Sequence, residues 1–426
     1  MNGSYRRQRV LALAGTLAAL WPAGAAWSQT APPFAQLLSQ TRDVPRVTAL
    51  EADVARARGR RRAERVACRT GARPAQPFDQ CLCRELRGRP RSQRAQPAAD
   101  DIPDRSAHRA GGKRSARIAA GEAGIVAAQA RNRDGRLVYA TELARAYAGA
   151  EIADRRIAIA EDEVEEATDD LKVARALVGA GKEARLRQVQ AETELNTLQA
   201  DLENARALKT VALARLSALA GMTTPFTGLS ESLLDRLDAK PAFGPIDPMQ
   251  ATTVRVADAE RDAAARAVTV QQRLAIPNVT AQLGVRQLRV ASGPAVVAGI
   301  SVPLPFFDRN RGNIAAARAE LQGAEARAAA ARLEAEAGTR AGLALVEAAD
   351  ARAAAARRTL ATAEEGYRLA RIAYEAGKSP LIELLAARHN LGVARGVILD
   401  AAAARLDARA NLARLQGLTI TGEAVQ

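Results

Sequence analysis

Apolar residues return every three or four positions over two very long stretches of this chain, and every second position over one short stretch. From Ile118 to about Val178 the sequence is rich in Ala, Leu, Arg and Glu, lacks proline, and spaces Leu143, Ala146, Tyr147 and Ala150 at helical intervals. This predicts a single helix. At 1.5 Å per residue such a run extends about 90 Å, far beyond a globular helix and typical of coiled-coil architecture. A break at Gly179-Ala180-Gly181 precedes a second helix, from about Glu183 to Leu219. The same pattern returns as Ile314 to Glu375, a break at Ala376-Gly377, and Pro380 to Leu415. Two long antiparallel hairpins result, and alanine at the apolar positions lets several helices approach closely. Between them, Gly221 to Pro248 is a turn-rich connector, followed by a helix over Ala251 to Leu274. The period then changes to two. Val279, Ala281, Leu283 and Val285 alternate with Thr280, Gln282, Gly284 and Arg286, and Val296, Ala298, Ile300, Val302 and Leu304 repeat the alternation after Ala291-Ser292-Gly293-Pro294. This predicts a β-hairpin. Strands of about ten residues suit a tilted crossing of an outer membrane, and equally a half-buried soluble hairpin. The membrane reading requires further strands, because open edges are not tolerated in lipid.

The two halves repeat each other at a fixed shift of 196 residues, without a gap, from Ile118/Ile314 to Gly221/Gly417. The shift pairs Arg131 with Arg327, Arg175 with Arg371, Gly181-Lys182 with Gly377-Lys378, and Leu195 with Leu391. An internal duplication means that one unit need not close a structure alone.

Arg6, Arg7 and Arg9, the apolar run Val10 to Trp21 and the small-residue site Ala26-Trp27-Ser28 make a secretory signal peptide cut after Ser28. No cysteine stands directly after that site to carry a lipid, where Gln29 follows Ser28. The net charge of +15 would raise nucleic acid as a partner, but secretion argues against it. The charge is also uneven. Residues 56–110 hold 15 Arg against 6 Asp plus Glu, a net +9. Cys68, Cys81 and Cys83 lie in the same stretch with His108, and His389 is the remaining histidine. An odd cysteine count and scattered histidines fit neither a disulfide framework nor a zinc site, so no metal ligand or cofactor is assigned. No catalytic constellation is present either, and the acids from Glu161 to Asp170 read most simply as a solvent-facing helix surface, with the lining of a cation path as the alternative.

Four segments carry a family resemblance: IPNVTAQLGVRQ (Ile276 to Gln287), VVAGISVPLPFFDRNRGNI (Val296 to Ile314), YEAGKSPLIELLAAR (Tyr374 to Arg388) and GGKRSARIAAGEAG (Gly111 to Gly124). With the duplication, they resemble the TolC-like outer-membrane efflux protein family and, within it, the CzcC-like heavy-metal efflux branch. The exit from strand to helix through Phe306-Phe307-Asp308-Arg309-Asn310 is the most specific element. The resemblance implies a mainly α fold with a membrane β-hairpin: duplicated helical hairpins forming a trimeric α-barrel, plus a shared transmembrane β-barrel. It implies a homotrimer in outer-membrane lipid that meets a periplasmic adaptor and an inner-membrane RND pump. Val178, Gly179, Gly181 and Lys182, with Tyr374, Gly377 and Lys378, would be the adaptor-docking tips, and Glu383 a possible acid at the periplasmic aperture.

One stretch departs from the family. Subtracting 196 from the hairpin at 278–305 calls for strands at 82–109, where LCRELRGRPRSQRAQPAADDIPDRSAHR shows no alternation and Pro90, Pro97 and Pro103 oppose strand pairing. Read one base downstream with suitable synonymous codons, Cys81 to Leu86 can spell VYVENF, and Asp100 to Ala110 can spell TTFQIDQRIEL. Both alternate as strands do. Residues 59–110 are therefore expected either to be translated out of frame or to form a disordered basic insert. As written, the chain would supply two strands where four are expected.

The resulting division is a signal peptide (1–28), an N-terminal helical segment (29–58), the anomalous basic segment (59–110), a first helical hairpin (111–221), a connector and helix (222–275), a β-hairpin (276–306), a second helical hairpin (307–417) and a tail (418–426). The functional expectation is the passive outer-membrane conduit of a tripartite efflux system, exporting heavy-metal cations and doing no catalysis. Two alternatives are a periplasmic adaptor, which would carry one hairpin between soluble β-domains, and a secreted basic coiled-coil protein binding anionic polymers.

Overall fold

A computed structural model describes residues 30–41, 44–70, 101–104, 112–238, 246–287, 294–302 and 309–423. Residues 1–28, expected to be a signal peptide, most of the anomalous segment, and Phe306, Phe307 and Asp308 lie outside the described residues. The elements in chain order are β1 (Thr30–Ala31), α1 (Phe34–Gln40), α2 (Pro45–Thr70), β2 (Asp101–Asp104), α3 (Lys113–Gly179), α4 (Arg185–Leu219), β3 (Gly228–Leu229), α5 (Leu233–Asp238), α6 (Thr252–Leu274), β4 (Thr280–Gln287), β5 (Pro294–Ser301), α7 (Arg311–Glu375) and α8 (Leu381–Leu415). The protein is mostly helical.

Helix α3 has 67 residues and α7 has 65, so each is about 100 Å long. Neither contains proline, and neither meets a helix-ending signal before its terminal glycine turn. The long helices pair into hairpins α3–α4 and α7–α8. At one end α2 lies on α3, and α6 is wedged between α3 and α7; towards the other end α8 packs on α3. Helix α3 is thus flanked by α2 and α4 from its own repeat and by α6 and α8 from the other, whereas α7 packs mainly on α6 and α8.

Small apolar residues dominate the interior. Ala144, Ala148, Ala150, Ala174 and Ala413 are buried, which is how helices of this length stay close along their whole contact. The larger side chains gather around the middle of α3, where Phe34, Leu37, Tyr147, Leu216, Leu233 and Ile420 form one cluster. Phe34 meets Tyr147 edge to face, with ring centroids 6.2 Å apart. Glu151, buried on α3, accepts bonds from the backbone N–H groups of Leu233 (2.9 Å) and Leu234 (3.1 Å) and from the Ser232 hydroxyl (2.6 Å). A carboxylate from the long helix therefore satisfies the free donors at the start of α5.

Strands β4 and β5 pair antiparallel, with Ala281, Leu283 and Val285 opposite Ile300, Ala298 and Val296. Directly opposed positions share a face, so the register puts these apolar positions together and Thr280, Gln282 and Gly284 on the other side with Ser301, Gly299 and Val297.

Two expectations change here. The anomalous segment does contribute a strand: β2 pairs antiparallel with β4, Pro103 standing opposite Gly284. Proline is compatible with this place because, among the described residues, β2 is at the sheet edge, where one side of the strand makes no ladder. The helical segment also continues past residue 58 to Thr70, since the arginine-rich sequence after Gly59 holds good helix formers and no proline. Arg61 is an ion-pair partner of Glu122 on α3. The short parallel pair β1–β3 has too few residues for any periodicity to announce it.

Candidate functional site at the hairpin tips

Both long hairpins turn in the same way, at the same end of the molecule. At the first, the Lys182 N–H donates to Leu177 O (2.9 Å) and the Gly181 N–H to Val178 O (3.0 Å). At the second, Lys378 donates to Ala373 O and Gly377 to Tyr374 O, both at 2.8 Å. Every partner is displaced by 196. The pattern ends a helix with a residue in the left-handed region, and Gly181 (φ +71°) and Gly377 (φ +67°) occupy it. Gly179, Gly181, Lys182, Gly377 and Lys378 are exposed, and Val178 is half-buried. Glu383 is exposed in the first turn of α8, where the helix dipole favours a carboxylate. Tyr374 differs from the other tip residues: it is buried and forms part of the core beneath the turn.

That core joins the two hairpins. Leu171, Ala174, Ala191, Tyr367, Tyr374, Leu381, Leu384 and Leu391 form one cluster drawn from all four long helices. Embedded in it, Arg388 Nη1 donates to Asp170 Oδ2 at 3.2 Å, with side-chain exposures of 4% and 2%. Arg388 Nη2 lies 2.9 Å from Glu194 Oε1. Burial raises the Asp170 pKa from 3.8 to about 6, against the opposing pull of Arg388. Burial likewise raises Glu163, against Arg395, and pushes Tyr367 well above the ordinary tyrosine range. A side chain at Gly392 would overlap the Glu163 carboxylate, so this glycine is what lets the carboxylate lie against α8.

The surface reading of Glu161 to Asp170 is thereby corrected. Asp170 is interior, and Glu163 and Glu166 are partly covered, because α8 crosses this face of α3. The seam is ionic along its length: Arg145–Asp407 and Arg156–Asp400 at 2.8 Å, Glu166–Arg395 at 2.9 Å, then Asp170–Arg388. Its polarity reverses on the way, with arginines on α3 near the middle of the helix and acids on α3 near the tips. The repeat carried a usable signal. Shifted by 196, Asp170 falls on Gly366 and Arg388 on Glu192, so the pair belongs to the contact between repeats and not to either repeat alone.

Among the described residues, no group of His, Cys, Asp or Glu side chains is arranged to hold a metal ion. No helix there is long and apolar enough to cross a membrane. The arrangement offers two exposed, lysine-bearing turns on a buried inter-hairpin core.

A family model described as outer membrane efflux protein matches residues 109–222 and 250–418. The chain is 41% identical over 309 residues to the nickel-cobalt-cadmium resistance protein NccC of Alcaligenes xylosoxydans xylosoxydans, covering 72% of this chain and 70% of that one. It is 30% identical to the cobalt-zinc-cadmium resistance protein CzcC of Cupriavidus metallidurans, covering 67% and 69%. The fold is similar to the crystal structure of CusC, with a TM-score of 0.74 at 16% identity, covering 92% of this chain and 96% of that one. It is also similar to the outer membrane protein VceC of Vibrio cholerae, with a TM-score of 0.68 at 18% identity, covering 91% and 96%.

Proposed function

The chain belongs to the outer membrane efflux protein family, and on that premise we propose that three copies form the outer-membrane conduit of a tripartite export system for heavy-metal cations. The observation that carries the assembly is an inequality between equivalent residues. Leu137 on α3 is 2% exposed, whereas its counterpart Leu333 on α7 is 68% exposed. Leu343 is 51% exposed where its counterpart Tyr147 is fully covered. Helix α3 has helices of both repeats against it, and α7 lacks the second set. The missing neighbours are the α2 and α4 of another copy, and α4 correspondingly exposes Leu186, Val189, Leu208 and Val211. A head-to-tail contact of this kind either closes into a ring or runs on as a filament. Family resemblance supplies the count of three, which places six repeats around one axis.

Closure also serves the sheet. Among the described residues the β2–β4–β5 ladder has open edges that lipid cannot satisfy, and strands from neighbouring copies would pair them in a shared barrel. The family match begins at residue 109, so all but the last two residues of the anomalous basic segment lie outside it. At the opposite end, Val178, Gly179, Gly181, Lys182, Gly377 and Lys378 present the adaptor-docking surface, with Tyr374 holding it from beneath and Glu383 beside the aperture. The conduit is passive, so the energy for export comes from the inner-membrane pump.

The cargo follows from NccC and CzcC, whose names record resistance to nickel, cobalt, cadmium and zinc. The test is nickel accumulation in a Gram-negative host that carries the adaptor and pump of such a system but lacks its channel. Expression of this chain is expected to lower cell nickel and restore growth on it. Accumulation unchanged, with the protein present in the outer membrane, would overturn the proposal.

A further inference from the structure

We propose that a groove between α7 and α8, next to the tips, is the seat of a second copy's α4, entered by the stripe Val189, Glu192, Asn196 and Gln199. This rests on the ring of copies proposed above and adds which segment of the neighbour enters, and in what register. The groove measures about 720 Å³, and its lining includes Thr359, Thr362 and Gly366 on α7 and Asn390, Val393 and Val397 on α8. Thr359, Thr362, Gly366, Asn390 and Val393 are exposed. Moved back by 196, the six positions become Glu163, Glu166, Asp170, Glu194, Thr197 and Asp201. In the first repeat this place is filled. Helix α8 lies there, with Arg388 on Asp170 and Glu194, Arg395 on Glu166, and Gly392 against Glu163. The groove is therefore the counterpart of a seat that a helix occupies, and the counterpart of that helix is α4.

The occupant changes together with the seat. Shifted by 196, Arg388 becomes Glu192, Gly392 becomes Asn196 and Arg395 becomes Gln199, three residues on one face of α4. Where the filled seat pairs Asp170 with Arg388, the groove offers Gly366 to Glu192. Where Gly392 leaves room for the Glu163 carboxylate, the smaller Thr359 leaves room for Asn196. Thr362 faces Gln199 in place of Glu166 and Arg395. Glu192 brings its own cation, since its carboxylate accepts from Arg175 at 2.8 Å. The groove's charged lining residue is Arg358, so a second copy's α8 would carry Arg388 and Arg395 towards a like charge and no acid. Conversely, α4 in the filled seat would set Glu192 against Asp170 and Glu194. Each helix fits one groove and is disfavoured in the other, and the ring alternates an ionic seam within each chain with a mostly uncharged seam between chains.

The test follows assembly of the full chain in detergent. Thr362→Glu or Gln199→Arg alone sets an unpaired charge in the seam and should raise by about tenfold the protein concentration at which copies separate. The two together rebuild between copies the Glu166–Arg395 pair found within the chain. They should return that concentration to near the parent value, a coupling that independent sites do not show. Register is read separately. In a chain carrying Cys68→Ser, Cys81→Ser and Cys83→Ser, the pair Asn196→Cys and Thr359→Cys should be joined by a short thiol-reactive linker into species of more than one copy on denaturing gels. A parent particle of one copy would overturn the ring and this seat together. A parent of several copies whose double variant separates as readily as the singles, or whose two thiols stay unlinked, would overturn the seat and leave the ring standing.

Discussion

Asp170 and Arg388 meet 3.2 Å apart in the seam between the two hairpins, both almost fully buried, 218 residues apart in sequence. Replacing Arg388 with methionine leaves Asp170 buried without its cation. Removing one member of a buried pair costs about 3–5 kcal/mol, whereas replacing both with apolar groups of similar volume is close to neutral. The Arg388→Met protein should unfold at a clearly lower denaturant concentration, and Asp170→Leu with Arg388→Met should recover most of the loss. Equal stability of all three proteins would show that the pair contributes nothing to the seam.

The same carboxyl sets a pH dependence. An unfolded aspartate titrates near 3.8, and Asp170 in the folded seam titrates at about 6 because it is buried. Between those values the folded chain holds a proton that the unfolded chain has released. Its contribution to stability therefore falls as pH rises from about 4 to about 6 and is level above that. Asp170→Asn should remove this decline from the pH profile of the unfolding midpoint. A variant retaining the full decline would place the titrating group elsewhere.

Gly377 holds φ at +67° with open space around it, so backbone strain and not a clash governs substitution there. Gly377→Ala should cost about 1 kcal/mol, and Gly377→Asn less, because asparagine tolerates the left-handed region. Gly392 is the converse case. Its backbone is ordinary helix, and alanine there would displace the Glu163 carboxylate, which can swing away. Denaturant unfolding of the three variants should rank Gly377→Ala below Gly377→Asn, with Gly392→Ala losing less than Gly377→Ala.

The proposed docking role of the tips can be tested apart from stability. Lys182→Glu combined with Lys378→Glu reverses two exposed charges without touching the buried core. Export of nickel in the complemented host should fall while the unfolding midpoint stays within about 0.5 kcal/mol of the parent, the usual range for surface changes. Undiminished export would mean that the adaptor contacts other residues.

Much of this architecture is legible in the sequence because its signals are long. Sixty residues of helical period without proline, and a repeat held at one shift, outweigh any local ambiguity. The starts of α3 and α7 lie a few residues before the expected Ile118 and Ile314, because helical period says little about where the first turn closes. Residues whose role comes from packing between repeats were not legible. Asp170 looks like a member of an exposed acidic run until α8 is laid across it, and Tyr374 looks like part of a turn until the core beneath is assembled. Strand β2 was hidden for another reason: four residues containing a proline carry no period, and pairing with β4 is what makes them a strand.

The most direct measurement on the central claim is the mass of the detergent-solubilised particle, for the parent chain and for Leu333→Asp. The full sequence of each chain has a mass of 45.0 kDa. If α7 receives the α2 and α4 of a second copy, the parent should have the protein mass of three chains, and Leu333→Asp should dissociate to one while keeping its helix content. A parent particle of one chain, or a Leu333→Asp particle still of three, would contradict the proposed closure of the conduit.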